Sequence, residues 1–275
     1  MSAQMRLEAS ETVSTLRTMQ SGQIAAPRSH EVDSRVAALR RIAVVPALNE
    51  EDSIAGVIAE IRAADPGFEV IVVDDGSKDR TAQVAAAAGA HVVRHPYNLG
   101  IGGAVQTGLQ YARDHGFDIA VQVDGDAQHD PAEIELLLEP IVEGRADLVV
   151  GSRFLGEHKY HAPFARLVGI KLFAALVSLI VRQKVTDTTS GFRAVNRRGI
   201  LLFAADYPHD YPEVEANVLV FKHRLRLTEV PVCMRSRTTG ASSITFRMSA
   251  YYMIKVTLAL FVGLFRRSPT PLEEK

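Results

Sequence analysis

From residue 41 onward, short unbroken apolar runs alternate with stretches in which apolar residues recur every three or four positions. Runs such as RIAVVPA and VIVV are rich in β-branched residues, which is typical of buried strands. The spacing of Ile54, Val57, Ile58 and Ile61 is typical of the buried face of a helix. Strands are therefore predicted at 41–47, 68–77, 91–95, 117–126 and 146–154, and helices at 51–64, 77–90, 102–116 and 131–144.

This alternation predicts an α/β fold in which a mostly parallel sheet carries helices on both faces. In such sheets, ligands bind beyond the carboxyl ends of the strands. Polar residues lie at the carboxyl ends of four of the predicted strands, at 46–50, 74–77, 124–128 and 151–153. The sequence therefore predicts one ligand-binding edge to which these four segments contribute.

The bulk composition fits a globular domain and gives no sign of a strongly charged partner. Of the 275 residues, 47% are hydrophobic and 23% charged, and the net charge is −1, so no nucleic-acid partner is expected. The single cysteine, Cys233, excludes an internal disulfide and fits an inert thiol in a reducing, cytoplasmic compartment. We expect a polar N-terminal lead over 1–40, one main domain over 41–246, and a C-terminal helix and tail over 247–275.

No segment of the sequence has the uninterrupted apolar length of a signal peptide or a membrane span. Two shorter apolar segments, 167–181 and 251–264, are interrupted by single lysines, and Arg266 and Arg267 follow the second. Helices of this kind can lie in the membrane interface with the apolar face down. The alternative is ordinary packing within the domain or between the subunits of a homo-oligomer.

Two aspartates and a glutamine follow the fourth predicted strand, in the run VDGDAQ. Carboxylates two residues apart can bind one hard cation from the same side of a turn, and Mg²⁺ and Mn²⁺ prefer oxygen ligands that they share with phosphates. Asp124 and Asp126 supply the carboxylates, and Gln128 adds a neutral oxygen. A solvated acidic turn is the plainer alternative. A calcium loop is disfavoured because His129 stands where that loop requires glycine.

A second pair of aspartates, Asp74 and Asp75, ends the second predicted strand. A carboxylate there can accept hydrogen bonds from a nucleobase N–H or from ribose hydroxyls, whereas Asp79 is suited to capping the next helix. The glycine-rich run HPYNLGIGG at 95–103 lacks the G-x-G-x-x-G spacing of dinucleotide sites. Its backbone N–H groups can approach a ligand, with Gly103 as the candidate contact, or form a plain turn.

Several arginines lie beside serine and glycine in the runs GSRF, SGFR and RSRTTG. A guanidinium group suits bidentate phosphate contacts, although each of these residues taken singly is more often a surface charge. The candidates are Arg153, Arg166, Arg193, Arg235 and Arg237.

The motifs, read in order, are PALNEEDSI, VIVVDDGSKDRT, NLGIGGAVQTGLQYA, VQVDGDAQHDP, LVVGSRF, DTTSGFRAVNR, EVPVCMRSR and GASSI, and they span 41–245. With them the chain resembles the family 2 glycosyltransferases with the GT-A fold, in particular the polyprenyl-phosphate sugar transferases of the dolichol-phosphate mannose synthase group. The resemblance implies a Rossmann-like nucleotide-binding half, a UDP- or GDP-sugar donor, and inversion at the sugar carbon.

The resemblance also implies roles for individual residues. Mg²⁺ or Mn²⁺ would be held by Asp124 and Asp126 with help from Gln128, which makes Asp126 a catalytic residue. Arg153, also counted as catalytic, and Arg166 would face the acceptor phosphate. With our candidate Gly103 included, the expected contacts with the donor and its pyrophosphate are Pro46, Ala47, Glu50, Asp74, Asp75, Gly103, Asp124 and Arg237.

The segment DYPEVEANV departs from the pattern of that group and leaves the acceptor open between a polyprenyl phosphate and a saccharide. A phosphate oxygen is already ionised, whereas a sugar hydroxyl must lose its proton to a carboxylate. For a hydroxyl acceptor, Glu215 is the first candidate base, and Glu213 and Asp210 are the alternatives. The resemblance further implies peripheral attachment at the cytoplasmic face of the membrane.

Two functions of other classes compete with this interpretation. A sugar-phosphate nucleotidyltransferase requires a glycine-rich loop with Lys or Arg after the first strand, and the run PALNEE provides none. A non-catalytic nucleotide-sugar binding module would be marked by the loss of a metal carboxylate, and both aspartates are present. The sequence identifies neither the sugar nor the base of the donor.

Overall fold

The computed structural model describes residues 36, 38–156, 164–208 and 211–235 of the chain. Strands and helices alternate along most of this length. The strands are β1 (Arg41–Ala47), β2 (Phe68–Asp74), β3 (His91–Arg94), β4 (Ile119–Gln122), β5 (Leu148–Ser152), β6 (Arg193–Asn196) and β7 (Leu227–Pro231). The helices are α1 (Ile54–Ala64), α2 (Thr81–Ala87), α3 (Ile101–Asp114), α4 (Ile134–Val142), α5 (Phe164–Val181), α6 (Arg197–Ala205) and α7 (Pro212–Lys222).

The seven strands form one sheet in the order β3-β2-β1-β4-β6-β5-β7. Among the strands of the described residues only β6 is antiparallel to its neighbours, β4 and β5. The mostly parallel sheet is confirmed. The sequence pattern did not predict β6, because the run RAVN is too short and too polar at its ends to show a strand period.

Both faces of the central strands are buried. Ile42 and Val44 of β1 join Leu109 of α3 in the main apolar cluster. Ala43 and Val45 point to the opposite face and are fully buried as well. Helix α1 packs on β2 and buries its own apolar stripe. Helices therefore cover both faces of the sheet, as the alternation of elements predicted.

Helix α3 lies unusually close to β1. A Cβ atom added at Gly108 would stand 2.2 Å from Cγ1 of Val44, so only glycine fits at this crossing. Helix α3 follows β3, which is parallel to β2 and β1, so its start and the glycine-rich loop before it lie at the carboxyl edge of the sheet.

Helix α5 corresponds to the first of the two apolar segments, and it packs against α7. Leu172 and Leu179 of α5 are 55% and 77% exposed, so part of its apolar surface faces outward. Over the described ranges, no helix has the length and apolar character needed to cross a bilayer. The second apolar segment, 251–264, lies outside the described residues.

At the opposite edge of the sheet, Asp147 joins β5, β6 and β7. Its carboxylate accepts hydrogen bonds from Asn196 Nδ2 at 2.8 Å, from Arg226 N at 2.8 Å and from Arg226 Nε at 3.0 Å, and Arg198 Nη1 lies 3.4 Å away. Burial alone raises the pKa of Asp147, but the hydrogen bonds from Arg226 and Asn196 outweigh it and lower the pKa to about 2.

We expect Asp147→Asn to lower the free energy of unfolding at pH 7 by about 1–2 kcal/mol, a value discounted because the arginine partners are largely exposed. The folded-state pKa is lowered from 3.8, so the stabilisation is complete above pH 4 and is lost as the pH falls towards 2. Urea unfolding at several pH values measures this. Asp114→Asn, in an exposed pair with Arg113, is the control and should change stability by less than about 0.5 kcal/mol. A pH-independent difference for Asp147→Asn would contradict the account.

Candidate active site

Three of the four segments expected at the ligand-binding edge are joined there by hydrogen bonds, namely those after β1, β2 and β4. Ala47 and Asp74, the last residues of β1 and β2, are register partners, and Asp75 N donates to the carbonyl of Ala47 at 2.9 Å. Gly125 N donates to the carbonyl of Pro46 at 3.3 Å, which ties the turn after β4 to the end of β1. Parallel neighbours place their carboxyl ends at one edge, so these contacts follow from the sheet order.

Glu50 joins the same edge through Ser53. The Ser53 hydroxyl lies 3.0 Å from Glu50 Oε2 and 2.7 Å from the carbonyl oxygen of Gly125. The structure therefore brings Pro46, Ala47 and Glu50 next to the turn that carries Asp124 and Asp126, and Asp74 and Asp75 lie beside Ala47.

The turn after β4 presents Asp124 and Asp126. The Asp124 side chain is 31% exposed, and its Oδ1 accepts a hydrogen bond from Gln122 Nε2 at 3.2 Å. Asp126 Oδ1 accepts from Gln128 N at 3.0 Å, and Ala127 between them has a φ of 61°, in the left-handed region. Hydrogen bonds from Gln122 and from the turn's own backbone thus stabilise the conformation of the two aspartates.

The donor set of this turn fits a hard divalent cation. Within the described ranges no three or more His, Cys, Asp or Glu residues are grouped closely enough to hold a metal without other ligands. Mg²⁺ characteristically takes one or two carboxylates and completes its shell with water and substrate phosphates. Gly191 leaves space around one of the two: a Cβ there would lie 3.1 Å from Asp124 Oδ2. Asp124 and Asp126 therefore suit a metal shared with a phosphate-bearing ligand.

The carboxylate of Asp75 holds the glycine-rich loop. It accepts hydrogen bonds from the backbone N–H groups of Leu99 and Gly100, each at 2.8 Å. His95 Nδ1 lies 2.8 Å from the same carboxylate, and its Nε2 lies 3.0 Å from the hydroxyl of Thr107 in α3. Asp75 is 4% exposed. The structure thus gives Asp75 a loop-holding role that the sequence pattern did not indicate.

We expect Asp75→Asn to lower the free energy of unfolding by about 2 kcal/mol, because an amide cannot accept the three hydrogen bonds of a charged carboxylate equally well. The loosened loop should also raise the KM for the donor more than it lowers kcat. Urea unfolding and steady-state kinetics measure both effects. The control is Asn98→Ala, which removes one acceptor for Gly100 N in the same loop and should cost less than about 1 kcal/mol. Equal stability of Asp75→Asn and wild type would refute the role.

Two further donor candidates have clear structural surroundings. Asp74 is fully buried; its Oδ1 accepts from Ser77 N at 2.8 Å, and its Oδ2 lies 3.2 Å from Arg94 Nε. Gly103 is buried in the first turn of α3, where a Cβ would stand 2.8 Å from Cβ of Leu99. Both residues shape the donor edge, and their direct contact with a nucleotide sugar stays a prediction.

Arg153 is 6% exposed and forms a buried, bidentate ion pair with Asp187. Its Nε and Nη2 donate to the two carboxylate oxygens at 2.6 and 2.8 Å, and Nη2 also donates to the Thr189 hydroxyl at 2.6 Å. Burial raises the pKa of Asp187, but the hydrogen bonds and charge of Arg153 prevail and lower it. Glu229 of β7 accepts from Thr186 N and Asp187 N at 2.8 Å, which holds the loop that carries the ion pair.

Glu213, in the first turn of α7, is coupled to the acidic turn. Burial raises the pKa of Glu213, and the charge of Asp124 adds to the rise, while Arg193 and Arg153 oppose it. Arg193 is 5% exposed, and its Nη2 donates to the Glu213 carbonyl at 2.6 Å. Glu215 lies in the same turn of α7, and both glutamates are partly exposed. The choice between Glu213 and Glu215 as a base for a hydroxyl acceptor stays a prediction.

Some expected site residues fall outside what the structure describes. Asp210 and Arg237 lie in undescribed ranges, and for Arg166 only the backbone, within α5, is described. Arg235 is described and pairs with Glu60 and Asp130, at 2.6 and 2.9 Å. It therefore matches the alternative of a surface charge.

The sequence analysis missed the residues that hold the site together, namely Gln122, His95, His129, Asp187 and Glu229. The runs HPYN, QVDGDAQH, DTTSGFR and EVPVCMRSR contain all five and were recognised only as motifs. The role of Glu229 gave no separate signal, because one glutamate in the short strand LTEVP resembles an ordinary exposed strand position.

The chain is similar to known proteins over most of its length. The model of glycosyl transferase family 2 matches residues 42–201. The UDP-N-acetylglucosamine–dolichyl-phosphate N-acetylglucosaminyltransferase of Methanococcus voltae is 30% identical over 209 residues, which cover 69% of this chain and 83% of that protein. The polyprenol monophosphomannose synthase of Mycolicibacterium smegmatis is 27% identical over 227 residues, covering 79% of this chain and 85% of that one.

Among solved structures, glucosyl-3-phosphoglycerate synthase from Mycobacterium tuberculosis, in complex with Mn²⁺, uridine diphosphate and phosphoglyceric acid, superposes with a TM-score of 0.67. It is 25% identical, and the match covers 86% of this chain and 84% of that one. The GT-A architecture expected from the motifs is thereby confirmed.

Proposed function

The chain belongs to glycosyl transferase family 2, and from this premise we propose that it transfers a sugar, with inversion and with the help of a divalent metal, from a UDP- or GDP-sugar to a polyprenyl phosphate. That it is a glycosyltransferase rests on the family and on its named relatives. The proposal of metal-dependent transfer from a nucleotide sugar rests on one observation. The turn with Asp124 and Asp126 lies at the same edge of the sheet as the ends of β1 and β2.

Asp124 and Asp126, with Gln128, would hold Mg²⁺ or Mn²⁺, which when bound neutralises the pyrophosphate of the leaving nucleotide. The loop held by Asp75 and the residues at the end of β1 would position the donor. The ion pair of Arg153 with Asp187 fixes the segment after β5, on the predicted acceptor side. Because Arg153 uses most of its donors within the protein and its charge is balanced by Asp187, its contribution to acceptor binding would be mainly to hold this segment in place.

A lipid phosphate is the favoured acceptor. Two of the similar proteins are named for transfer to dolichyl phosphate or for polyprenol monophosphomannose synthesis. A phosphate oxygen is ionised at neutral pH, so the reaction needs no strong base from the protein. Arg166 is the other arginine that the resemblance places at the acceptor, and its guanidinium would offset the charge of that phosphate.

A hydroxyl-bearing acceptor is the second candidate, and the raised pKa of Glu213 favours it. A carboxylate whose pKa is raised by burial is a better general base than an exposed one. The solved neighbour with phosphoglyceric acid in its complex is a precedent for a small acceptor in a similar fold. Under this candidate, Glu213→Gln should lower kcat sharply, whereas with a phosphate acceptor it should have little effect.

We also propose peripheral contact with the cytoplasmic face of a membrane through α5. Leu172 and Leu179 are exposed on α5, Phe221 of α7 is 40% exposed, and Lys171 and Arg182 are exposed near them. Apolar side chains flanked by cations are suited to the headgroup region of anionic lipids.

We expect wild-type protein to float with vesicles that contain anionic lipid, and Leu179→Glu to reduce the floating fraction several-fold, because a buried acyl-chain contact is replaced by a charge that anionic lipid repels. Ala86→Glu, at an exposed position of α2, is the matched control and should float as the wild type does. A wild-type protein that stays in the aqueous fraction would argue against membrane contact.

The donor half of the proposal is tested by thermal shift with UDP-, GDP- and dTDP-sugars, each with Mn²⁺ or with chelator. A ligand that binds only the folded state raises the Tm. Stabilisation by one nucleotide sugar that requires Mn²⁺ supports the proposal and identifies the base. Absence of a shift with every donor would favour a non-catalytic binding module or a site that assembles only on a membrane.

A further inference from the structure

The buried side chain of His129 contacts Asp124, the first aspartate of the turn after β4. His129 is 1% exposed, and its ring stacks on Phe192 with the centroids 4.8 Å apart. The backbone N–H of Asp124 donates to His129 Nδ1 at 3.0 Å. Because Nδ1 accepts a hydrogen bond, the proton of the neutral ring lies on Nε2.

The protonated Nε2 lies close to the Asp124 carboxylate without forming a hydrogen bond. It lies 3.5 Å from Oδ2 of Asp124 and has no hydrogen-bond partner among the described residues. A buried N–H group without a partner is costly, and the Asp124 carboxylate is a neighbouring group that can accept it. The ring cannot easily turn away, since it is stacked on Phe192 and held at Nδ1.

The Asp124 carboxylate has two further neighbours. Gln122 Nε2 donates to Oδ1 at 3.2 Å, and Gly191 leaves room beside the carboxylate, because a Cβ there would lie 3.1 and 3.3 Å from the two oxygens. Asp124 is therefore held at its backbone N–H and at Oδ1, with His129 Nε2 near Oδ2, and 31% of its side chain stays exposed.

We propose that His129 is a positioning residue that orients the Asp124 carboxylate toward a divalent cation. The inference rests on the proposed function, because the cation belongs to that proposal. Hydrogen-bond partners behind a metal ligand fix its direction, and their loss typically weakens metal affinity 10- to 100-fold. A purely structural histidine at this place would affect stability alone.

Two substitutions of His129 distinguish the effect of the ring nitrogens from the effect of the ring's shape. His129→Phe keeps the stack on Phe192 and removes both nitrogens. His129→Gln can still place an N–H near Asp124 Oδ2 but loses the acceptor at the Nδ1 position. His223→Gln is the matched control, because His223, at the end of α7, also has a buried Nε2 without a hydrogen-bond partner among the described residues.

The readout is the dissociation constant of Mn²⁺, titrated by electron paramagnetic resonance with saturating UDP or GDP, whichever stabilises the wild type. We expect a 10- to 100-fold weaker Mn²⁺ affinity in His129→Phe, a smaller loss in His129→Gln, and none in His223→Gln. The activity of His129→Gln at saturating Mn²⁺ should return to within a few-fold of wild type.

Mn²⁺ affinities within twofold of wild type in the His129 variants would overturn the positioning role while leaving the proposed function intact. If His129→Phe does not fold, His129→Gln alone decides by the same criterion. A wild-type protein that binds no Mn²⁺ in the presence of either nucleotide would overturn the metal part of the proposed function, and the positioning role with it.

Discussion

Replacing Asp126 by alanine is expected to lower kcat/KM for sugar transfer by at least about 10³-fold, which corresponds to about 4 kcal/mol of transition-state stabilisation. Asp126 lies in the turn after β4, and it is one of the two carboxylates in the run VDGDAQ. Its loss would leave the leaving pyrophosphate without an adequately held cation. Excess Mn²⁺ should restore little of the activity, since the missing ligand also sets the position of the metal.

The substitution should change the fold little. The side chain contributes one hydrogen bond to the turn, from Gln128 N at 3.0 Å, so a stability loss of about 1 kcal/mol is expected. Asp118→Asn is the matched control: Asp118 precedes β4 at the opposite edge of the sheet, where its Oδ2 accepts from Arg40 N at 2.8 Å. Full activity of Asp126→Ala with excess donor and Mn²⁺, in a folded protein, would refute the metal assignment.

Replacing Asp187 by asparagine is expected to lower the free energy of unfolding by about 3 kcal/mol. Asp187 is fully buried, and the change leaves the Arg153 guanidinium, 6% exposed, without its counter-charge. Removing one partner of a buried ion pair is far costlier than removing an exposed pair. Activity should fall as well, because the loop and the segment after β5 are held together through this pair.

The pH dependence distinguishes this pair from other causes of instability. The folded-state pKa of Asp187 is lowered from its ordinary value of 3.8, so its stabilisation is present above pH 4 and is lost as the pH falls through the folded-state pKa. The gap between wild type and Asp187→Asn should therefore close only below pH 4. Glu143→Gln, in an exposed pair with Arg145, is the control and should change stability by less than about 1 kcal/mol. A loss below about 1 kcal/mol for Asp187→Asn at pH 7 would contradict the account.

Much of the fold could be predicted from the sequence because the central strands are buried on both faces. Runs such as RIAVV and VIVV have no alternation to confuse with a surface strand, and the helices between them carry clear apolar stripes. The same order places the ends of β1, β2 and β4 at one edge, which is why the acidic motifs could be assigned to one site. The antiparallel β6 was missed because its four residues are held by pairing with β4 and β5 rather than by their own pattern.

The separate structural roles of the polar residues could not be predicted, because each role depends on contacts between segments that are distant in the sequence. Asp75 and Asp74 look alike in the run VVDDGS, yet Asp75 holds the backbone of Leu99 and Gly100 while Asp74 holds Ser77 and faces Arg94. Arg153 looks like a free phosphate ligand until its partner, 34 residues further on, is known.

The choice between Glu213 and Glu215 illustrates the same limit. Two residues apart in the first turn of a helix, the two glutamates point in different directions. The sequence analysis favoured Glu215. Burial and the charge of Asp124 raise the pKa of Glu213, which is why Glu213→Gln is the substitution tested first, and Glu215 stays a candidate base.

The central claim is metal-dependent transfer of a sugar to a polyprenyl phosphate, and a transfer assay tests it most directly. Radiolabelled UDP- and GDP-sugars would be incubated with the protein, Mn²⁺ and undecaprenyl phosphate in detergent, and the organic phase counted. The account predicts label in the lipid fraction from one donor, its disappearance with chelator, and its near absence with Asp126→Ala. No labelled lipid from any donor, together with metal-dependent transfer to a hydroxyl acceptor that Glu213→Gln abolishes, would contradict it.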